Sequence, residues 1–273
     1  MLNNKIIRED PPEIKRVVWA FVGVPARQTA GLVPMIDLPT TEKHPESPRT
    51  PVIFAGVLGM IFLLWLLITT GGTGLLRLLG LTRSLTVAVF ANRTLFWVCL
   101  GLVWWYAVKV EKQPLLLWRE RRQGFLHYVG ALILLPVVIT AVLLIVNSLL
   151  YALIHRTEHS EALERMVRYC RAHPSLLFYS AITAGFTEEL LMRGYLLPRL
   201  EMLVRNRGLA MFLSSLLFGL GHYQYGTIKN VVGAMVIGLV LAMYYNRYRN
   251  IKVAILFHIL WDTAAFYLSF RHV

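Results

Sequence analysis

The residues that could do chemistry are concentrated in three short, otherwise apolar segments of the C-terminal half of the chain. They are Glu188, Glu189 and Arg193 in the first segment, His222 in the second, and His258 and Asp262 in the third. Positions i and i+4 share a helix face, so Glu189 and Arg193 are expected to form a structural ion pair. Glu188 points about 100° away from Glu189, without an obvious cationic partner on its own helix. We therefore predict that Glu188 is a functional acid.

The two histidines lie on different segments from this acid. His258 and Asp262 are four residues apart, so the carboxylate of Asp262 can orient the imidazole through a hydrogen bond. His222 ends the sequence FGLGH and shares a helix face with Phe218, which we interpret as a packing residue. If three helices bring Glu188, His222 and His258 to one water-filled cavity, the site holds an acid beside two imidazoles.

An acid with two imidazoles, and no candidate nucleophile beside a base, favours activation of water over a covalent intermediate. The chain has neither the Gly-x-Ser-x-Gly pattern nor the His-Glu-x-x-His pattern. We predict that Glu188 is a general base that takes a proton from water, while His222 holds that water or carries the proton. A protonated His258, or its donor tautomer, would stabilise the oxyanion on the attacked carbonyl group.

The composition places these segments in a membrane. Of the 273 residues 56% are hydrophobic and 16% are charged, whereas soluble domains have about a quarter charged residues. The uncharged runs 52–70 and 131–154 are each long enough to cross roughly 30 Å of hydrocarbon as a helix. This excludes the common soluble folds, and β-barrels are disfavoured because these runs do not alternate apolar and polar residues. We assign the net charge of +13 to Lys and Arg that bind lipid headgroups, rather than to nucleic-acid binding.

We predict an all-α fold, a polytopic membrane helix bundle of about seven transmembrane helices. The helices are expected at about 52–70, 93–108, 128–154, 174–195, 208–224, 228–246 and 252–270. Residues 1–50 are polar and predict a cytosolic, partly disordered arm, and residues 51–273 form the membrane domain, with a catalytic core at about 174–270. The bias of Lys and Arg in the loops predicts a cytoplasmic N-terminus in a cell (inner) membrane.

The motifs Glu-Glu-x-x-x-Arg, Phe-x-x-x-His and His-x-x-x-Asn/Asp, in this order on successive late membrane helices, resemble those of the CPBP family. That family includes the type II CAAX prenyl endopeptidases and the bacteriocin-processing and immunity (Abi) proteins. The motifs cover roughly residues 180–265. The resemblance implies an intramembrane endopeptidase in which Glu188 activates water and His222 is the second catalytic group. Glu189 and Arg193 would complete the first motif.

The resemblance assigns His258 and Asp262 to the pair that forms the oxyanion hole. Prenyl-processing members typically carry Asn in place of Asp262, and an ionised Asp cannot donate the hydrogen bond that an amide donates. Asp262 is then protonated in the cavity, or it orients His258, or the mechanism differs. We predict no cofactor, with zinc as the alternative because acids and imidazoles are acceptable ligands. The ligands of that alternative are Glu188, His222 and His258, with Asp262 as a further acceptable one.

The substrate predicted from the resemblance is a membrane-associated peptide, of the CAAX type or otherwise lipidated, and the bilayer is the other predicted partner. Two non-proteolytic alternatives use the same residues. One is a membrane immunity or regulatory protein that keeps them for helix packing, and the other is an ion or proton transporter. The lack of inverted hydropathy repeats disfavours the transporter.

Helix geometry leaves one discrepancy in the predicted site. With helix ends near 195, 208 and 252, Glu188 lies about 10 Å deep and His258 about 9 Å, at 1.5 Å per residue. His222 lies about 21 Å deep by the same measure. A tilt, a shifted start of the fifth helix, or a tightened turn at Gly219 and Gly221 is required to close this gap.

Overall fold

The computed structural model describes residues 50–70, 80, 85–155 and 160–269, which are mostly helical and contain no strand. The predicted arm of residues 1–50 lies outside the described residues, except for Thr50. The elements, in chain order, are α1 (Thr50–Thr70), α2 (Leu85–Lys109), α3 (Phe125–Ile154), α4 (Glu161–Ala172), α5 (Pro174–Glu189), a π-helical segment (Leu190–Leu196), α6 (Leu197–Val204), α7 (Arg207–Leu220), a 3₁₀ turn (Tyr223–Tyr225), α8 (Ile228–Tyr248) and α9 (Ile251–Ser269).

A helix is present at each of the predicted positions, as α1, α2, α3, α5, α7, α8 and α9. The all-α prediction is therefore confirmed for the described residues. Among these, α1, α2, α3 and α8 are long and apolar enough to cross a membrane. On α3, Ile133, Leu144 and Leu153 are more than half exposed, as expected for a surface that faces lipid. The chain is thus an integral membrane protein, and spanning by α5, α7 and α9 stays a prediction.

The chain after Glu189 differs most from the sequence prediction. The fourth helix is predicted to end near 195, but it continues through the π-helical segment and α6 to Val204. This extension places Glu188 about 24 Å from the end of α6, and His222 lies about 22 Å from the start of α7, at 1.5 Å per residue. Because α6 and α7 are joined by a short turn, the longer helix removes the discrepancy in depth between Glu188 and His222.

A buried ion pair explains why the pattern of apolar residues did not predict that the fourth helix extends to Val204. Arg199 interrupts the apolar pattern of α6, and its Nε and Nη2 donate to Glu111 Oε2 at 2.8 and 2.5 Å. The hydroxyl of Tyr195 donates to Glu111 Oε1 at 2.7 Å. Both charged side chains are buried, which a helix tolerates when the charges are paired and hydrogen-bonded. The loop-like composition of α6 therefore reflects a tertiary contact.

The segment between α2 and α3 also holds the start of α9. Glu120 accepts one hydrogen bond from the hydroxyl of Tyr245 on α8 and another from the backbone N–H of Ile251, both at 2.8 Å. Ile251 is the first residue of α9, where backbone N–H groups have no partner within the helix. One carboxylate therefore joins the last turn of α8 to the first turn of α9.

Two glycines allow the helices of the predicted site to approach closely. A Cβ on Gly185 of α5 would lie 2.5 Å from Cγ1 of Ile259 and 3.1 Å from the carbonyl oxygen of Ile255, both on α9. A Cβ on Gly219 of α7 would lie 2.7 Å from the carbonyl oxygen of Val231 on α8. Small residues at helix crossings let backbones pack directly against each other in membrane proteins.

We expect Gly219→Ala to destabilise the bundle by about 1–3 kcal/mol, because the added methyl group meets backbone that no side-chain rotation can move. Gly101→Ala on α2 is the matched control, since nothing lies within 4 Å of a Cβ at that position. Thermal melts of both variants in the same detergent measure the effect. A melting temperature for Gly219→Ala as high as that of Gly101→Ala would contradict the close crossing of α7 and α8.

The amphipathic helix α4 is an element that the sequence analysis does not predict. Its N-terminus is capped by Ser160, whose Oγ accepts a hydrogen bond from the backbone N–H of Leu163 at 3.1 Å. The same hydroxyl donates to the carbonyl oxygen of Tyr225 at 2.6 Å. Helix α4 is thereby attached to the 3₁₀ turn that follows His222.

Candidate active site

A buried chain of hydrogen bonds joins the end of α5, the π-helical segment and α9. Arg193 Nη1 donates to Glu189 Oε1 at 2.8 Å, in the ion pair that their spacing predicts. The same carboxylate oxygen lies 2.8 Å from Nδ1 of His258. The side chains of Arg193 and Glu189 are 1% and 0% exposed. Glu189 therefore holds a cation and an imidazole together, out of contact with solvent.

The other carboxylate of the doublet approaches the same imidazole at its second nitrogen. Glu188 Oε2 lies 3.9 Å from His258 Nε2, and Asp262 Oδ2 lies 3.7 Å from that nitrogen. Because Glu189 Oε1 accepts a hydrogen bond from Arg193, it acts as the acceptor towards His258 as well, and Nδ1 of His258 carries the proton. Nε2 is consequently the atom that His258 presents to Glu188 and Asp262.

The distances bear on one of the three alternatives left open for Asp262. In that alternative Asp262 accepts a hydrogen bond that orients His258, but the separation of 3.7 Å is too long for one. Glu189 orients the ring instead, at 2.8 Å. Helix periodicity could not reveal this contact, because Glu189 and His258 are 69 residues apart on different helices.

Exposure separates the two members of the glutamate doublet. The side chain of Glu188 is 17% exposed, whereas that of Glu189 is fully buried. Asp262 is 27% exposed. Glu189 is therefore a structural acid held by its partners, and Glu188 is the acid that a water molecule or a substrate can reach.

His222 lies just beyond the end of α7. Its backbone N–H donates to the carbonyl oxygen of Gly219 at 2.9 Å, which forms a tight turn, one of the three features considered above for closing the gap in depth. Its Nδ1 lies 2.9 Å from the carbonyl oxygen of Phe218. A carbonyl oxygen can only accept, so Nδ1 carries the proton and Nε2 of His222 keeps its lone pair.

The ring of Phe218 packs among the polar side chains. Its centroid lies 4.9 Å from that of His222 and 6.0 Å from that of His258, and the guanidinium of Arg193 lies 4.6 Å from it. The structure thus brings Glu188, Glu189, Arg193 and Asp262 to His258. Within the described residues, His222 has no ion pair with a carboxylate and is held near this group by Phe218.

A glycine on α8 leaves space for the guanidinium of Arg193 and accepts a hydrogen bond from it. Arg193 Nη2 donates to the carbonyl oxygen of Gly238 at 3.0 Å. A Cβ at Gly238 would lie 3.3 Å from Nη2 and 3.1 Å from Cδ1 of Phe218. Sequence reasoning missed Gly238, and the only available signal was a small residue in an apolar helix. It also missed the π-helical segment, a distortion that often occurs at functional sites.

The zinc alternative stays a prediction, and its proposed ligands are only partly grouped in the structure. The described part of the chain contains no group of three or more His, Cys, Asp or Glu side chains that could hold a metal ion. Glu188 and His258 approach each other at 3.9 Å, whereas His222 forms no ion pair with a carboxylate within the described residues. A structural or catalytic zinc ion requires at least three protein ligands around one point.

One comparison with known proteins bears on this site. Residues 171–264, about a third of the chain, match the family described as Type II CAAX prenyl endopeptidase Rce1-like. No curated protein and no solved structure matches the chain. The matched residues run from the end of α4 into α9 and include all six residues of the predicted site. The region that builds this site is therefore similar to the Rce1-like type II CAAX prenyl endopeptidases.

Proposed function

We propose that this protein is an intramembrane endopeptidase in which Glu188 activates a water molecule for attack on a peptide bond. The observation that carries the proposal is the 3.9 Å approach of an accessible carboxylate, Glu188, to Nε2 of His258 inside a bundle of apolar helices. The family match to CAAX endopeptidases supports the reaction class.

In the proposed reaction, Glu188 takes one proton from water as the water oxygen attacks the peptide carbonyl carbon. The C–N bond then breaks, and this proton passes to the nitrogen of the leaving amine. The products are a carboxylic acid and an amine, and Glu188 returns to its ionised form. His222 would hold the same water through Nε2. This nitrogen keeps its lone pair because the other ring nitrogen, Nδ1, donates the hydrogen bond to the Phe218 carbonyl.

His258 would stabilise the oxyanion. Because Nδ1 donates to Glu189, Nε2 can donate a hydrogen bond only when the ring is an imidazolium. The carboxylates of Glu188, Glu189 and Asp262 surround the ring and would stabilise its positive charge. We assign Asp262 to this electrostatic support, which does not need the amide found in prenyl-processing relatives.

We further propose that the substrate is a CAAX-type peptide and that catalysis needs no bound metal. A CAAX motif ends the chain three residues after a prenylated cysteine, and a prenyl group partitions into the bilayer beside the apolar helices. The accessible carboxylate of Glu188 beside the imidazole of His258 supports a reaction by acid and imidazole groups.

The experiment uses purified protein in liposomes and a peptide that ends in S-farnesyl-Cys-Val-Ile-Met. We expect a single cut after the modified cysteine, detected by mass spectrometry as the released tripeptide, at a rate that chelators do not change. A folded protein that cleaves no farnesylated peptide would contradict the proposal. Activity that chelators abolish and zinc restores would instead support the zinc-dependent alternative.

A further inference from the structure

A positive charge lies inside the candidate membrane span of α2. Arg93 is seven residues inside the span Thr86–Lys109, and the only other charged residue of that helix is Lys109 at its end. Ionisable residues at such positions are costly in lipid and mark substrate or ion paths. Arg93 therefore needs a functional or structural explanation.

Arg93 has no carboxylate partner within 4 Å among the described residues. Its guanidinium lies 5.9 Å from the centre of the Phe96 ring. By contrast, Arg193 and Arg199 are each paired with a glutamate at 2.8 Å or less. Arg93 is half-buried, so its guanidinium remains available to an anionic ligand.

Contacts between α2 and α5 fix the level of Arg93 in the bundle. The ring of Phe90 stacks on that of Tyr179 at 4.8 Å, and Nε1 of Trp97 donates to Oγ1 of Thr183 at 3.1 Å. Along α2, Arg93 lies between Phe90 and Trp97. Around the helix axis, it points about 40–60° away from these two residues. It is therefore level with the turn of α5 between Tyr179 and Thr183.

The level of Arg93 in the bundle is displaced along α5 from the level of Glu188. The turn between Tyr179 and Thr183 precedes Glu188 by five to nine residues on one helix, or about 8–13 Å. On α9, Asp262 follows His258 by one turn in the same direction, because α9 runs antiparallel to α5. Within the described residues, Asp262 lies 3.7 Å from His258 and forms no ion pair with Arg93.

We propose that Arg93 binds the free C-terminal carboxylate of the peptide substrate, so that cleavage occurs a fixed number of residues from the chain end. A guanidinium suits this role because it binds a carboxylate through two parallel hydrogen bonds. Three extended residues span at most about 10 Å, which matches the separation between the levels of Arg93 and Glu188. This inference rests on the proposed function, since it needs a peptide at Glu188.

The first experiment compares two farnesylated peptides that differ only at the C-terminus, one a free acid and one a carboxamide. We expect kcat/KM of the wild-type protein to favour the acid by about 10- to 100-fold, the range of a hydrogen bond to a charged group. In Arg93→Gln this ratio should fall towards one, and Arg93→Lys should keep part of it. Arg165→Gln, at an exposed arginine of α4, is the control and should keep the full ratio.

A ratio unchanged by Arg93→Gln would overturn the assignment. So would an equal loss on both peptides, because Arg93 would then act only through Asp262 or through helix packing.

The second experiment separates this inference from the endopeptidase assignment. Fluorescence anisotropy measures the binding of both peptides to Glu188→Gln and to Glu188→Gln/Arg93→Gln, neither of which needs turnover. We expect the first variant to prefer the acid peptide and the double variant to lose that preference. Equal binding of the two peptides to Glu188→Gln would overturn the carboxylate subsite even if the wild-type protein cleaves them. An Arg93-dependent preference without cleavage by the wild-type protein would support the subsite and contradict the endopeptidase.

Discussion

Replacing Glu188 with glutamine is expected to lower kcat for peptide cleavage by about 10²- to 10⁴-fold, the contribution of a general base. Glutamine keeps the shape of the side chain but cannot take a proton from water. The fold should survive, because Glu188 is 17% exposed and its nearest ionic neighbour, His258, lies 3.9 Å away. Kinetics of the purified variant in liposomes, with a thermal melt of the same sample, measure both effects.

The matched control for this variant is Glu161→Gln on α4. Glu161 is 80% exposed and forms only a long surface ion pair with Arg165, at 3.5 Å. This control should keep full activity and an unchanged melting temperature. Substantial cleavage by folded Glu188→Gln would contradict water activation by Glu188. A large loss of stability in that variant would favour the alternative in which the constellation serves helix packing.

Replacing Arg193 with methionine is expected to have the largest effect on stability, a loss of about 3–5 kcal/mol in the free energy of unfolding. The reason is that Glu189 would remain buried without its cation. The variant also loses the hydrogen bond to the Gly238 carbonyl at 3.0 Å and the contact with the ring of Phe218. Denaturant titration in detergent micelles measures the change.

The double variant Glu189→Gln/Arg193→Met tests the physical cause of that loss. Removing both charges of a buried pair is often neutral, whereas removing one is costly. Glu189 Oε2 and Arg193 Nε have no hydrogen-bond partner among the described residues, so the pair is incompletely satisfied from the start. We expect the double variant to be more stable than Arg193→Met but still inactive, because the carboxylate that holds Nδ1 of His258 is then lost. A double variant no more stable than Arg193→Met would contradict the buried-charge explanation.

The sequence alone was sufficient to predict an all-α membrane protein and to single out the acids that the structure groups around His258. Runs such as 52–70 predict membrane helices because hydropathy is a property of the local chain, and α1 confirms that prediction. The ion pair between Glu189 and Arg193 was predictable for a similar reason, since one helical turn fixes their separation. The order of the three motifs likewise pointed to the CAAX endopeptidase family, which the match over residues 171–264 supports.

Only the tertiary structure decided how these residues divide their roles. Glu189, rather than Asp262, holds His258, and this contact depends on how α5 packs against α9. The extension of the fourth helix to Val204 depends on a distant Glu111, which pairs with a buried arginine of α6. The helical period describes neighbours one turn apart, whereas the burial of a charge depends on partners brought in from elsewhere in the chain.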